Sequence, residues 1–376
     1  MADESAPPGA STRLPVDAGE DGQDGEHRRP EPAARQGRVT LREVARAAGV
    51  APSTVSRVLG GVTTSIAVTD ATRELVLQRA RELGYRPDPL ARGLRGSSTG
   101  LIGLIVRDLA YPLHGPLIEA TVDAIRAHDH HVVIGSSHEL SSESYQLEHI
   151  IQTRMCDGII MIGGLDDDAA VLDDLQVARV PTVGIGLAIT NGRIPVVRGD
   201  GAAGGRLVFD HLAALGHRHV GIVQTGDHTE FRERTDAFAA AAAEAGWPTD
   251  AISLVICENE SADVATAFQT LMKDDRPTAV FVTTDYGALV VLAEAARAGV
   301  DVPHELSVVG YDDLAMSRTV YPPLTTVRQD LGRLAARAVD SVFALIRTGA
   351  VPEETGQRVA IELVVRGTSG PGGGRT

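Results

Sequence analysis

Residues 39–61 read VTLREVARAAGVAPSTVSRVLGG, and their periodicity decides how the front of the chain folds. Thr40-Leu41-Arg42-Glu43 has capping-box spacing, in which the hydroxyl and the carboxylate satisfy N–H groups left open at a helix start. Leu41, Val44, Ala45 and Ala48 then fall at i, i+3, i+4 and i+7, one apolar face. Gly49 suits the turn that ends this helix. Pro52 fits the first position of a second helix, with Val55, Val58 and Leu59 as its inward residues. A third helical pattern over 69–83 is expected to bury Leu75, Val76 and Leu83 and to stop at Gly84. Helix, tight turn, helix and supporting helix make a helix-turn-helix module.

The 376-residue chain carries 35 Lys and Arg against 50 Asp and Glu, a formal net charge of −15. That total hides an uneven distribution. Residues 38–98 hold ten arginines and five acids, whereas residues 1–37 hold four arginines and eight acids. A locally basic module attached to an acidic body is the asymmetry of a nucleic-acid reader. Residues 1–37, rich in Pro, Gly, Ala and charge, bury too little to offset the entropy of ordering and are expected to be disordered.

The longest apolar runs, such as LIGLIV at 101–106, are too short to cross a bilayer, and no apolar stretch follows Met1. A cytoplasmic protein with no membrane partner is expected. Cys156 and Cys257 lie apart in apolar runs and read as core residues in a reducing compartment. His128, His130 and His131 read as a solvated helix end rather than a metal site. With no P-loop, no G-x-S-x-G and no metal-ligand spacing, neither an enzyme nor a cofactor is expected.

Residues 86–98 (RPDPLARGLRGSS) form a basic segment. From residue 99 short apolar runs (LIGLIV, HVVIG, GIIMI, PTVGIG, HVGIV, ISLVI, AVFVT, LSVVG) alternate with helical patterns. This rhythm predicts parallel sheets flanked by helices, and its length suits two lobes.

Six segments, in order, carry a resemblance: TLREVARAAGVAPSTVSRVL, ELGYRPDPLARGLR, TGLIGLIVRDL, LGHRHVGIV, ELSVVGYDD and PPLTTVRQD. From about Val39 to Arg366 the chain resembles LacI/GalR-type bacterial transcription regulators. The resemblance implies an all-α helix-turn-helix headpiece (38–85), a hinge helix (86–98) and a two-lobed α/β effector domain of periplasmic-binding-protein type I (99–369), with a flexible tail at 370–376. It places the lobe crossings near Val197, near Thr325 and after Arg347. The lobes are then about 99–196 with 326–347, and about 197–325 with 348–369.

By the same resemblance, Pro52 and Ser53 open the recognition helix, and Thr54 and Arg57 share its groove-facing side. Arg donates in pairs to guanine, and short hydroxyls reach bases and phosphates. Thr40 and Ser56 suit phosphate contacts, which fix register. Leu94 is expected to wedge into the minor groove, flanked by Arg92 and Arg95 on phosphates. Two departures stand out. Ala51 replaces the usual Ser or Thr cap, worth about 1 kcal/mol, and the loop after Leu59 is longer than the family norm.

Family ligands bind between the lobes, so Tyr111, His114, Arg234, Asp285, Tyr286 and Asp312 are the candidate effector residues, with Phe231 a further stacking face. Asp285 is expected to accept hydrogen bonds from ligand hydroxyls and Arg234 to reach into the cleft. Tyr111-Pro112-Leu113-His114 replaces an Asn-Pro-Phe-Phe lid, Thr284 replaces an Asn, and Gly186 stands where many relatives carry a sugar-binding Asp. The implied function is a homodimeric repressor on a near-palindromic double-stranded operator, switched by a small, sugar-like polar effector. The alternatives are control by a protein partner or a phosphorylated metabolite, and a solute-binding protein with no DNA role.

Overall fold

Helix α1 (Leu41–Ala48) starts with the capping box formed: Thr40 N donates to Glu43 Oε2 over 2.6 Å, and Glu43 N donates to Thr40 Oγ1 over 3.4 Å. Gly49 closes it at φ 64, a left-handed conformation that favours glycine. Helix α2 (Pro52–Gly60) and α3 (Asp70–Glu82) complete the three-helix unit. Its core is Val44, Ala45, Ala48, Val55, Val58, Val76 and Ala80.

The reading of α3 needs correcting. Val76 and Ala80, spaced i and i+4, face that core, while Leu75 and Leu83 are 37% and 39% exposed. Leu75 lies one residue around the helix from the buried face, and Leu83 is the C-cap, beyond the last full turn.

The computed structural model describes residues 39–60, 68–86, 98–136, 155–163, 175, 177–186, 194–273, 275–352, 356 and 358–372. The 1–37 tail, the long loop after Leu59 and the 370–376 tail fall largely outside the described residues. The hinge positions Arg92, Leu94 and Arg95 also lie outside them.

The described residues divide at Pro87/Asp88 into two compact units, and the second contains two lobes. In the first lobe β1 (Leu101–Val106), β2 (His131–Ser136), β3 (Gly158–Ile162), β4 (Thr182–Ile185) and β5 (Val196–Val197) form a sheet ordered β2-β1-β3-β4-β5. All of its pairs are parallel. Strand β3 is buried along its whole length, as a strand covered on both faces must be. Helix α4 (His114–Arg126) follows β1 and packs on this sheet through Leu117 and Ile125. In the histidine-rich stretch that follows α4, two of the three rings pack, His128 stacking on Phe343 at 4.2 Å and His130 meeting it edge-on, while His131 is exposed.

The second lobe contains β6 (Val220–Thr225), β7 (Ile252–Cys257), β8 (Ala279–Val282), β9 (Ser307–Asp312), β10 (Thr325–Gln329) and β11 (Ile361–Val364). Their order is β11-β10-β9-β8-β6-β7, parallel except for β11. Helices α5 (Gly201–Ala214), α6 (Thr229–Glu244), α7 (Ser261–Leu271) and α8 (Asp285–Arg297) flank it. Phe209, Phe238 and Phe281 fill one face of the sheet; Val264, Phe268 and Val291 fill the other.

Helix α9 (Leu331–Thr348) buries Leu334, Ala338, Val339 and Val342 in the first lobe's core. The second crossing therefore falls after Gln329, later than Thr325: residues 325–329 are a strand of the second sheet, and the chain leaves only at Asp330, the N-cap of α9. The first and third crossings run side by side, Gly199 bridging Val359. Both are tied to α6, because Arg198 and Arg358 each pair with Glu233, at 2.9 and 3.1 Å.

Candidate DNA-reading face and effector cleft

The recognition-helix face follows from how α2 is anchored. Val55 and Val58 are buried, which leaves Pro52 and Ser53 exposed and Thr54, Ser56 and Arg57 half-buried on the remaining surface. Among the described residues, no hydrogen bond or ion pair engages the side chains of Ser53, Thr54, Ser56 or Arg57. They are free to reach a groove. The start of α2 has only backbone bonds, from Thr54 N and Val55 N to the Ala51 carbonyl, so the missing side-chain cap is a feature of the fold. Thr40 is exposed, but its hydroxyl is already engaged by Glu43.

The cleft lies where the carboxyl ends of both sheets meet, the position open parallel sheets offer to ligands. It is a cavity of about 240 Å³. Its first-lobe wall comes from residues just after β1, β3 and β4, and its second-lobe wall from those after β6, β7 and β9. Tyr111, His114, Phe231, Arg234 and Asp312 all line it.

Asp312 is set by an unusual backbone. Its backbone is at φ 119 and that of Asp313 at φ 54, two successive non-glycine residues in the region that favours glycine. The bend puts Asp312 in the cleft, where Oδ1 accepts from Gln329 Nε2 at 2.8 Å and Oδ2 from the Tyr111 hydroxyl at 3.2 Å. Burial pushes its carboxyl up to about 7, against the pull of Arg234. Asp313 instead meets Arg318, Arg328 and Arg366; burial works against its charge, but these bonds prevail and hold it below the usual range.

Arg234 is 3% exposed. Its guanidinium lies 3.6 Å from the Tyr311 ring centroid, and Nη1 donates to the Thr283 carbonyl. Nε has no partner. His114 is turned by a 2.5 Å contact between Nδ1 and the Asp108 carbonyl; burial lowers its proton affinity.

Two expectations fail. Asp285 is fully buried and turned into the second lobe, where Leu314 N, Ser317 Oγ and Thr326 Oγ1 donate to its carboxylate. It holds β9, β10 and the turn after Asp312 together and does not line the cleft. Tyr286 also lies off the cleft, its hydroxyl 2.8 Å from that of Ser261. Sequence reasoning missed Glu230, Glu258, Asn259 and Gln329, which do line it. Glu230 was findable: it sits one turn before Arg234, on the same face of α6.

Comparison with known proteins agrees with both halves. Residues 40–88 match the description "Bacterial regulatory proteins, lacI family", and residues 209–369 match a periplasmic binding protein-like domain. The HTH-type transcriptional regulator in the aml 5' region of Streptomyces limosus is 32% identical, over 91% of this chain and 99% of the relative. The HTH-type transcriptional repressor PurR of Pasteurella multocida is 30% identical, over 86% and 95%. The crystal structure of the lac repressor dimer bound to operator and the anti-inducer ONPF superposes with a TM-score of 0.75 at 26% identity, covering 88% of this chain and 99% of that one. A capped helix-turn-helix, two parallel-sheet lobes crossed three times and a relative matched nearly end to end converge: the chain belongs to the lacI family of bacterial regulatory proteins.

Proposed function

We propose that this chain is a sequence-specific DNA-binding transcriptional repressor that binds a near-palindromic operator as a homodimer and responds to a small polar effector. The observation that carries this reading is the pairing, in one chain, of a free polar α2 face with a cleft between two lobes. Pro52, Ser53, Thr54 and Arg57 read bases, while Thr40 and Ser56 hold phosphates. Arg92 and Arg95 flank Leu94, which kinks the operator centre. Tyr111, His114, Arg234 and Asp312 receive the effector, whose unequal fit to two lobe arrangements sets operator affinity. The protein works in the cytoplasm and catalyses no reaction. The relatives compared are named as regulators, and no helix among the described residues is long and apolar enough to cross a membrane.

Gel shifts with DNA from upstream of its own gene test this reading. A near-palindromic fragment is expected to be retained and to be competed by itself far better than by a scrambled sequence, with operator affinity changed by a saturating sugar. Equal competition by scrambled DNA would overturn the repressor assignment.

A further inference from the structure

The charges in the cleft are unequal. Asp108, Glu230, Glu258 and Asp312 face Arg107 and Arg234. Most of these groups are committed within the protein. Asp108 accepts from Ala110 N at 2.8 Å, and Asp312 accepts from Tyr111 and Gln329. Arg234 donates to the Thr283 carbonyl and stacks on Tyr311.

Glu230 differs. Among the described residues no donor hydrogen-bonds its carboxylate; its nearest cation, Arg234 Nη2, is 3.9 Å away. The side chain is 19% exposed, so this acceptor is largely removed from solvent yet lines the cavity. Across the cleft stands Gly186. A Cβ built there would touch Glu230 Oε2 at 4.0 Å, so glycine at this position keeps the first-lobe wall from covering the carboxylate with a side chain. Glu230 also occupies the first turn of α6, where its charge offsets the positive helix end that would otherwise draw an anion. Glu258, also without a hydrogen-bond donor, adds a second negative charge at the exposed rim.

We propose that Glu230 binds the effector directly and that the effector is an amine-bearing monosaccharide, its ammonium seated on the Glu230 carboxylate, which Gly186 leaves uncovered by any side chain of its own. This rests on the effector-cleft reading above. An ammonium supplies the hydrogen-bond donors that Glu230 lacks beside its 3.9 Å ion pair with Arg234, whereas a phosphorylated metabolite would bring further negative charge to a cleft in which carboxylates outnumber arginines. A cavity of about 240 Å³ holds one sugar ring. The apolar wall of Ile162, Ile185 and Phe231 suits the less polar ring face.

The test is calorimetric titration of the full-length chain with common hexoses, their 2-amino-2-deoxy counterparts and their 6-phosphates, at a mildly acidic pH where the amine carries its proton. The amino sugar is expected to bind about tenfold or more tighter than its neutral parent, with the phosphate weakest. E230Q should abolish that preference while keeping the wild-type melting temperature, which shows an intact fold; E230D should keep part of it. A wild-type chain that binds amine and parent equally, an E230Q chain that keeps the preference, or a phosphate that binds best would each overturn the inference and leave the repressor reading standing. Binding of no sugar overturns the inference too, and the repressor reading then falls only if the operator gel shift fails as well.

Discussion

The Tyr111 hydroxyl donates to Asp312 Oδ2 over 3.2 Å, a bond that runs from the loop after β1 in one lobe to the end of β9 in the other. Gln329, the last residue before the second crossing, holds the other oxygen. One carboxylate therefore links the cleft wall, the lobe contact and the hinge. Burial raises the Asp312 carboxyl to about 7. For an acid raised on folding, the native state holds a proton that the unfolded chain has released, so its ionisation costs stability as pH rises from the unfolded value through about 7. Urea unfolding of D312N is expected to lack that slope, and its stability relative to wild type should grow by roughly 2–4 kcal/mol between the two ends of this window. Parallel pH profiles for the two proteins would refute this account.

Arg57→Ala removes the α2 side chain best suited to paired donation to a guanine. The expected loss on the operator is about 1–3 kcal/mol, with relaxed preference at one base pair of each half-site. Binding to random DNA should change much less. Competition gel shifts against single-base operator variants measure this; a uniform loss across all sequences would make Arg57 a phosphate contact instead.

Ala51→Ser supplies the hydroxyl that the start of α2 lacks. The carbonyl of residue 51 already takes the N–H groups of Thr54 and Val55, so the backbone is set for a cap. A gain of about 1 kcal/mol in headpiece stability is expected, read as slower amide exchange in α2. No change would mean that the open N–H groups are satisfied as well by solvent.

The headpiece was legible in the sequence because its determinants are local: a box of four residues fixes the start of α1, and i, i+4 spacing places its buried face. The same reasoning failed at Leu75 and Leu83, where leucine's apolarity was taken for burial although the inward stripe of α3 passes through Val76 and Ala80. The cleft was legible only in part. Asp285 opens α8, but its carboxylate direction is decided by Leu314, Ser317 and Thr326, residues from 29 to 41 positions away. No local signal reports those partners. The lobe crossing was misplaced for a related reason: nothing in TTVRQ marks which sheet it joins, and that is settled by its pairing with β9 and β11.

Gly205→Ala tests how Arg234 is positioned. Helices α5 and α6 approach closely at Gly205, where an added Cβ would run into the Arg234 carbonyl, a backbone atom that has no rotamer to escape through. The helices must separate or α6 must turn. Such overpacking costs about 1–3 kcal/mol. A turn of α6 would also shift Arg234 against Tyr311 and move Glu230 relative to Gly186, because all of these depend on the register of one helix. The expected result is lowered thermal stability together with weakened effector binding. If G205A loses stability yet keeps wild-type effector affinity, the cleft does not depend on the α5–α6 contact.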